Sequence, residues 1–218
     1  MSGGVMHPTA LAPSTAHLAL PFFEAAHRDI AARLPEWSNA QGVNETDDRA
    51  ACRDWVRRMG ADGWLRYCVA AEHGGALPQL DSRALVVLRE TLAFYSPLAD
   101  FAFAMQGLGS GAISLGGTPA QQAAYLPAVA RGDKIAAFAL SEPDAGSDVA
   151  AMKTRAACAN QTSAGGQNHS ESTDWKLTGT KTWISNGGLA DFYCVFAKTD
   201  RLAGSRGITA FIVDKGAP

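Results

Sequence analysis

The chain has 218 residues, of which 47% are hydrophobic and 18% are charged, an ordinary composition for a globular protein with a buried core. Its formal net charge of -2 offers no electrostatic basis for binding nucleic acid or an anionic membrane surface. No apolar run approaches the roughly 18 residues that a membrane span needs, and the N-terminus lacks the basic segment of a secretory signal. We therefore expect a cytoplasmic protein without a membrane span.

The first half of the chain has the periodicity of helices. A first helix is predicted over residues 17–33, because Pro35 should stop it. Polar residues at 46–48 are N-cap candidates for a second helix, which should end at Gly60 or Gly63.

Three more helices should follow. Asp81 or Ser82 can cap the third, whose apolar residues recur at spacings of three and four, as in a buried stripe. These residues are Leu85, Leu88, Leu92 and Tyr95. Pro97 should break this helix, and residues 98–115 are so uniformly apolar or small that they predict a helix buried on most sides. A capping box at 118–121 should start the fifth helix, which Gly132 should end.

Beyond Lys134 the pattern changes to short strands. Apolar and branched residues predict strands at 135–140, 152–159, 192–197 and 208–213. Residues 175–184 alternate loosely and predict a further strand region, with a turn at Gly179 and Thr180. The polar, glycine-containing residues 160–173 should form a long exposed hairpin loop. Helices and strands in separate blocks predict an α+β chain, with an all-α domain over residues 1–133 and a β-domain over 134–218.

Residues 138–148 have the pattern of a strand that runs into a tight loop. Pro143 fixes one φ angle there, and Gly146 permits a positive φ. Ser141 and Ser147 add hydroxyl groups to the backbone N–H groups at the strand exit. Such a loop suits a planar heteroaromatic ligand or a phosphate-bearing chain, although the spacing alone favours a plain structural turn.

Residues 177–188 contain a second candidate segment. In a strand, Trp183 and Ser185 would point to the same face because they are two residues apart. A large flat ring beside a hydroxyl donor could cover a flavin ring and hydrogen-bond to it. These residues taken alone favour the alternative, a core tryptophan next to a turn.

Together, the two segments resemble the acyl-CoA dehydrogenase family. Residues 139–148 are close to the family's A-x-T-E-P-x-A-G-S-D signature, and residues 179–187 match its G-x-K-x-W-I-T/S-N segment. Residues 72–75 and 125–132 are similar to two further family motifs, so the resemblance covers roughly residues 69–218. It implies an N-terminal helical domain and then an antiparallel, barrel-like or sandwich middle β-domain, with the family's C-terminal helical bundle absent from this sequence.

The resemblance implies FAD as the cofactor. Its binding residues would be Phe138, Leu140, Ser141, Trp183, Ile184 and Ser185. Main-chain groups and the Ser141 hydroxyl would lie at the pyrimidine edge of the flavin, Trp183 would shield one face, and Ser185 would hydrogen-bond at N5. Ser147 would contact the CoA part of the substrate. The family usually has Thr where Ser141 stands, so we expect a modest effect on flavin tuning, about 1 kcal/mol.

The implied reaction is α,β-dehydrogenation of an acyl-CoA thioester, with an electron-transferring flavoprotein as the electron acceptor. In the family, the carboxylate that removes the α-proton belongs to the C-terminal helical domain. We therefore assign no catalytic residue to this chain and expect a fragment that is inactive alone, whose homo-oligomer would form only in the full-length enzyme. Two alternatives stay open: a flavin-dependent monooxygenase or oxidase on the same fold, and a non-catalytic module that binds acyl-CoA or a partner.

Other features are better explained by structure than by chemistry. The small residues at 107–111 do not follow a predicted strand and lack the spacing of a dinucleotide-binding loop, so close helix packing is favoured. Glu142 lies inside the signature, and we expect it to hold the loop by pairing with Arg or Lys rather than to act as a base. The four cysteines and five histidines do not cluster, so we expect reduced thiols and no metal site.

Overall fold

The computed structural model describes residues 12–158 and 174–218. Within these ranges five α-helices are followed by five β-strands, so the predicted order of a helical half and a sheet half is confirmed. None of the described helices is long and apolar enough to cross a membrane. The hairpin loop predicted at 160–173 lies outside the described residues.

The helices are α1 (Ala25–Ala40), α2 (Asp48–Ala61), α3 (Ser82–Tyr95), α4 (Pro97–Gly116) and α5 (Pro119–Arg131). Asp47 and Asp81 cap α2 and α3, because each side chain accepts hydrogen bonds from backbone N–H groups of the first turn. Thr118 and Gln121 form the predicted capping box of α5, and Gly132 ends that helix with a φ of 73°. Polar caps therefore set these helix boundaries as the sequence predicts.

The prediction for the first helix is wrong at both ends. The α-helix begins later than predicted, and Pro35 lies inside it rather than after it. Trp37, in the last turn, packs against Trp55 and Trp64 with ring centroids 6.2 and 5.8 Å away, and its indole N–H donates to Asp62. This tertiary packing stabilises a turn that a proline would otherwise end.

The strands are β1 (Ala136–Ala139), β2 (Arg155–Cys158), β3 (Trp175–Thr178), β4 (Phe192–Lys198) and β5 (Ile208–Asp214). They form one sheet around β4, which pairs with β1 in parallel, with β5 in antiparallel orientation, and with β2 at Lys198. β2 and β3 are antiparallel. The sheet is therefore mixed, because the long connection from β1 to β4 permits a parallel crossover whereas a short one joins β4 to β5.

The helix α4 joins the helical half to the sheet. Its inner face contributes Phe103 to a core that also includes Phe192 of β4. A Cβ on Gly109 would lie 2.7 Å from the Cβ of Ala136 in β1, so small residues do allow close packing here, as predicted. As predicted, α4 is buried or half-buried on most sides, and its exposed residues lie mainly on one face. Its exposed large apolar residues are Phe101, Leu108 and Leu115.

Candidate functional site

The two motif-bearing segments meet just after the end of β1. The backbone N–H of Thr182 donates to the carbonyl of Ser141 over 2.9 Å. The ammonium group of Lys181 donates to the carbonyl of Leu140 over 2.8 Å and to the carboxylate of Glu142 over 2.9 Å. Segments that are about forty residues apart in sequence therefore lie side by side.

Glu142 holds the loop that follows β1. Its side chain is 5% exposed and accepts hydrogen bonds from Lys181 and from the backbone N–H groups of Lys153, at 2.6 Å, and Thr154, at 2.9 Å. Burial alone would raise the pKa of Glu142, but these hydrogen bonds outweigh it and lower the pKa to about 2. Glu142 is thus an ionised structural acceptor, and its predicted pairing with Arg or Lys is confirmed.

The loop itself turns at Pro143. Paired backbone hydrogen bonds between Glu142 and Ala145 close the turn. Gly146, which would permit a positive φ, does not adopt one. Ser147 is exposed beyond the turn, and its hydroxyl has no hydrogen-bond partner among the described residues. The side chain of Glu142, rather than glycine geometry, therefore shapes the loop.

Trp183 is a large aromatic residue that faces solvent. Because β3 ends at Thr178, Trp183 and Ser185 lie in a turn, and the prediction of a strand through residue 184 is wrong. Because the two residues are not in a strand, their spacing of two does not place both side chains on one face. Trp183 has a φ of 55° and is 91% exposed. A bulky, exposed side chain in such a sparsely populated backbone conformation is typical of functional sites.

Asn186 anchors the far side of this turn, although its sequence motif predicts only a turn residue. It is buried with a φ of 62°, and its side-chain NH2 donates to the carbonyl of Ala136 over 3.0 Å. Its side-chain oxygen accepts a hydrogen bond from the thiol of Cys52 in α2 over 3.5 Å. Arg49, also in α2, donates to the carbonyl of Gly187 over 3.1 Å. The turn is therefore tied both to β1 and to the helical half.

Gln106 of α4 is a second positioning residue that the sequence analysis misses. It is fully buried, its side-chain oxygen accepts from the N–H of Ala136, and its NH2 donates to the carbonyl of Lys134, both over 2.9 Å. The only signal for it is a long polar side chain in the stretch 98–115, whose residues are almost all apolar or small. Gln106 thus fixes the start of β1 against α4.

The predicted cofactor residues all lie in or beside these two segments. Phe138 is in β1, Leu140 and Ser141 follow it directly, and Ile184 and Ser185 are in the turn after Trp183. All except Trp183 are half-buried. The hydroxyls of Ser141 and Ser185 have no hydrogen-bond partner among the described residues. An exposed ring in one segment and available hydroxyls in both suit a planar ligand with polar edges, while the role of each residue stays a prediction.

Two family models match the chain, one in each half. The acyl-CoA dehydrogenase N-terminal domain matches residues 24–133, and the acyl-CoA dehydrogenase middle domain matches residues 137–218. The short-chain specific acyl-CoA dehydrogenase of Clostridium acetobutylicum is 34% identical over 161 residues, which are 74% of this chain and 39% of that protein. This chain spans less than half the length of the curated relatives that it matches.

Solved structures of similar proteins superpose on about nine-tenths of this chain. The electron transferring flavoprotein of Acidaminococcus fermentans superposes with a TM-score of 0.74 and 29% identity, over 90% of this chain and 50% of that chain. An acyl-CoA dehydrogenase from Bacillus anthracis, complexed with FAD, has a TM-score of 0.71 and 30% identity, over 89% of this chain and 32% of that chain. Because two models of one family together match nearly every described residue, this chain belongs to the acyl-CoA dehydrogenase family.

Proposed function

We propose that this chain supplies the FAD-binding and thioester-binding segments of an enzyme that dehydrogenates acyl-CoA thioesters between the α and β carbons. The observation that carries the proposal is the direct pairing of Ser141 with Thr182, which brings the two family motifs together. The family membership of both halves and the FAD complex of the Bacillus anthracis relative support it.

The residues present fit a flavin ring. Trp183 offers a large flat surface that the described chain leaves open, and it would shield one face of the ring. The Ser141 hydroxyl would bond to the pyrimidine edge, and the Ser185 hydroxyl would bond at N5. The flanking apolar contacts would come from Phe138, Leu140 and Ile184.

Bound FAD would supply the redox chemistry of the enzyme by accepting hydride from the β carbon. The chain's own residues would bind and orient the ring and keep water from the face that Trp183 covers, and Ser147 would contact CoA. Glu142 is unsuited to remove the α-proton, because its carboxylate is buried, ionised and engaged by three hydrogen-bond donors. We therefore propose that the catalytic base lies outside this chain and that the chain alone is inactive.

The proposed partners are an acyl-CoA substrate and an electron-transferring flavoprotein as the electron acceptor. Similarity to the electron transferring flavoprotein structure of Acidaminococcus fermentans supports the second partner. A homo-oligomer of the longer enzyme and a cytoplasmic location stay predictions.

Titration of the purified 218-residue chain with FAD, followed by flavin fluorescence, tests the proposal. We expect weak but saturable binding, and we expect Trp183→Ala to weaken it by about tenfold or more because a stacking surface is lost. Trp175→Ala is the matched control, since Trp175 is a half-exposed tryptophan in β3 rather than in the turn. Equal binding by wild type and Trp183→Ala would refute the assigned role.

The proposed inactivity has its own assay. The chain is incubated with FAD, a panel of acyl-CoA thioesters and an artificial electron acceptor. We expect no turnover above that of free FAD, because the family resemblance implies a base in a C-terminal helical domain and Glu142 is unsuited to replace it. Clear turnover would show that a base is present in this chain.

A further inference from the structure

A buried ion pair lies between the two proposed cofactor segments. The side chains of Lys181 and Glu142 are 11% and 5% exposed. Glu142 directly follows Ser141, and Lys181 lies two residues before Trp183. Burial of two charges is unfavourable unless their remaining polar atoms also form hydrogen bonds. We therefore expect both side chains to bond to further groups.

Both charged groups do bind additional backbone atoms. The Glu142 carboxylate accepts from the N–H groups of Lys153 and Thr154, and the Lys181 ammonium group donates to the carbonyl of Leu140. The Thr182–Ser141 hydrogen bond lies next to the pair. Consecutive residues of one segment are therefore joined to consecutive residues of the other.

The turn that carries Trp183 depends on such anchors. Trp183 gains almost nothing from burial at 91% exposure, and its φ of 55° is unfavourable for a side chain of this size. Lys181 holds the chain on one side of Trp183, and Asn186 holds it on the other through its bond to Ala136. Loss of either anchor would let the turn relax to ordinary backbone angles.

We propose that Glu142 and Lys181 are positioning residues, which set the direction of Trp183 relative to Ser141 and so tune flavin binding without contacting the ring. The flavin part of this inference rests on the proposed function. The conformational part concerns the chain alone and can be tested without a ligand.

The first experiment compares Glu142→Gln and Lys181→Met with Asp144→Asn. Asp144 lies in the same loop and pairs with Lys153, but those two side chains are 71% and 76% exposed. In protein labelled with 5-fluorotryptophan, the Trp183 resonance is assigned from Trp183→Phe. We expect both test variants to shift this resonance and to speed Thr182 amide exchange about tenfold or more, whereas Asp144→Asn changes neither. An unmoved Trp183 resonance in both test variants would overturn the proposal.

A general loss of stability must be separated from loss of positioning. Leu34→Ala serves here, because Leu34 is fully buried in α1 and a truncation there destabilises the chain without touching the turn. All variants are measured at a temperature where far-ultraviolet circular dichroism shows them folded. A Leu34→Ala protein with the same Trp183 shift would point to general loosening and count against positioning.

Charge reversal makes the test sharper. A simple ion pair would be restored by the double variant Glu142→Lys/Lys181→Glu. The N–H groups of Lys153 and Thr154 need an acceptor at position 142, so we expect the double variant to behave like the single ones. Recovery of the wild-type Trp183 resonance would show that charge pairing alone matters.

FAD titration then tests the flavin part. We expect Glu142→Gln and Lys181→Met to bind FAD about tenfold more weakly than wild type, with Asp144→Asn unchanged. Equal FAD affinities of wild type and the two test variants would show that the Lys181–Glu142 pair does not affect flavin binding. If the wild-type chain binds no FAD, the proposed function fails for this chain, and the fluorine and exchange results still decide the positioning role.

Discussion

The helix caps of the first half and the candidate site of the sheet half form their side-chain hydrogen bonds over different distances along the chain. In α2, α3 and α5, the capping side chains of Asp47, Asp81 and Thr118 bond to N–H groups two or three residues away. In the sheet half, Glu142 bonds to groups 11, 12 and 39 residues away. Local structure in the first half is therefore encoded in short stretches, whereas the candidate site depends on pairs of distant residues.

The two halves also differ in which residues adopt a positive φ. Among the described residues, the non-glycine residues with positive φ are Trp183 and Asn186, both in the turn after β3. The helical half places glycines such as Gly63, Gly74 and Gly132 at its positive φ angles. Within residues 12–158 and 174–218, positive φ at residues other than glycine is thus confined to the segment for which we propose ligand binding.

The largest expected effect tests how far the sheet half depends on its buried charges. Lys181→Met should lower the free energy of unfolding by about 3–5 kcal/mol, because it leaves the Glu142 carboxylate buried without its counter-charge. Lys153→Met removes an exposed ion pair of the same chemistry and should cost less than about 1 kcal/mol. Urea unfolding of both variants measures the difference. Equal losses would mean that backbone hydrogen bonds alone stabilise the carboxylate.

The same carboxylate should make the stability of the chain depend on acid pH. The pKa of Glu142 falls from 4.5 to about 2 on folding, so its contribution is complete above pH 4.5 and is lost as the pH falls through about 2. Across this window, wild type should lose up to about 3 kcal/mol more than Glu142→Gln, which has no carboxylate at this position. Urea unfolding at a series of acid pH values measures both curves, and parallel curves would contradict the lowered pKa.

The next largest effect on stability is expected where α4 of the helical half packs on β1 of the sheet half. Gly109→Ala should cost about 1–3 kcal/mol, because the new Cβ would lie 2.7 Å from the Cβ of Ala136 and 3.0 Å from its backbone. Gly111, in the same helix, has open space around a Cβ, so Gly111→Ala should stabilise the chain by up to about 1 kcal/mol. Thermal unfolding separates the two. A neutral Gly109→Ala would mean that α4 can move away from β1.

The number of residues between two bonded groups also explains which parts of the fold the sequence predicts. The caps of α2, α3 and α5 follow from neighbouring residues, and all three are confirmed. Two of the wrong boundaries have distant causes: α1 continues past Pro35, where Trp37 packs on α2, and β3 ends early, where the chain turns to bring Lys181 to Glu142. Gln106 and Asn186 are missed because their backbone partners lie 28 to 50 residues away.

The candidate site is predicted only through the family resemblance. Spacing alone favours a structural turn at 138–148 and a core tryptophan at 183. The exposure of Trp183 excludes the core alternative, since a packed ring would be buried. No local pattern predicts that Thr182 pairs with Ser141, because a hydrogen bond between distant segments leaves no periodic trace in either one.

The smallest expected effect on stability is at Trp183 itself. Trp183→Gly should change the free energy of unfolding by less than about 1 kcal/mol, because the ring buries little surface and glycine accepts a φ of 55° without strain. Trp55, 3% exposed in α2, is the contrast, and Trp55→Ala should cost about 3–5 kcal/mol. Chemical unfolding of both variants measures this difference. A loss at Trp183 as large as that at Trp55 would show that the ring packs within the chain, and a ring that packs there is not available to cover a ligand.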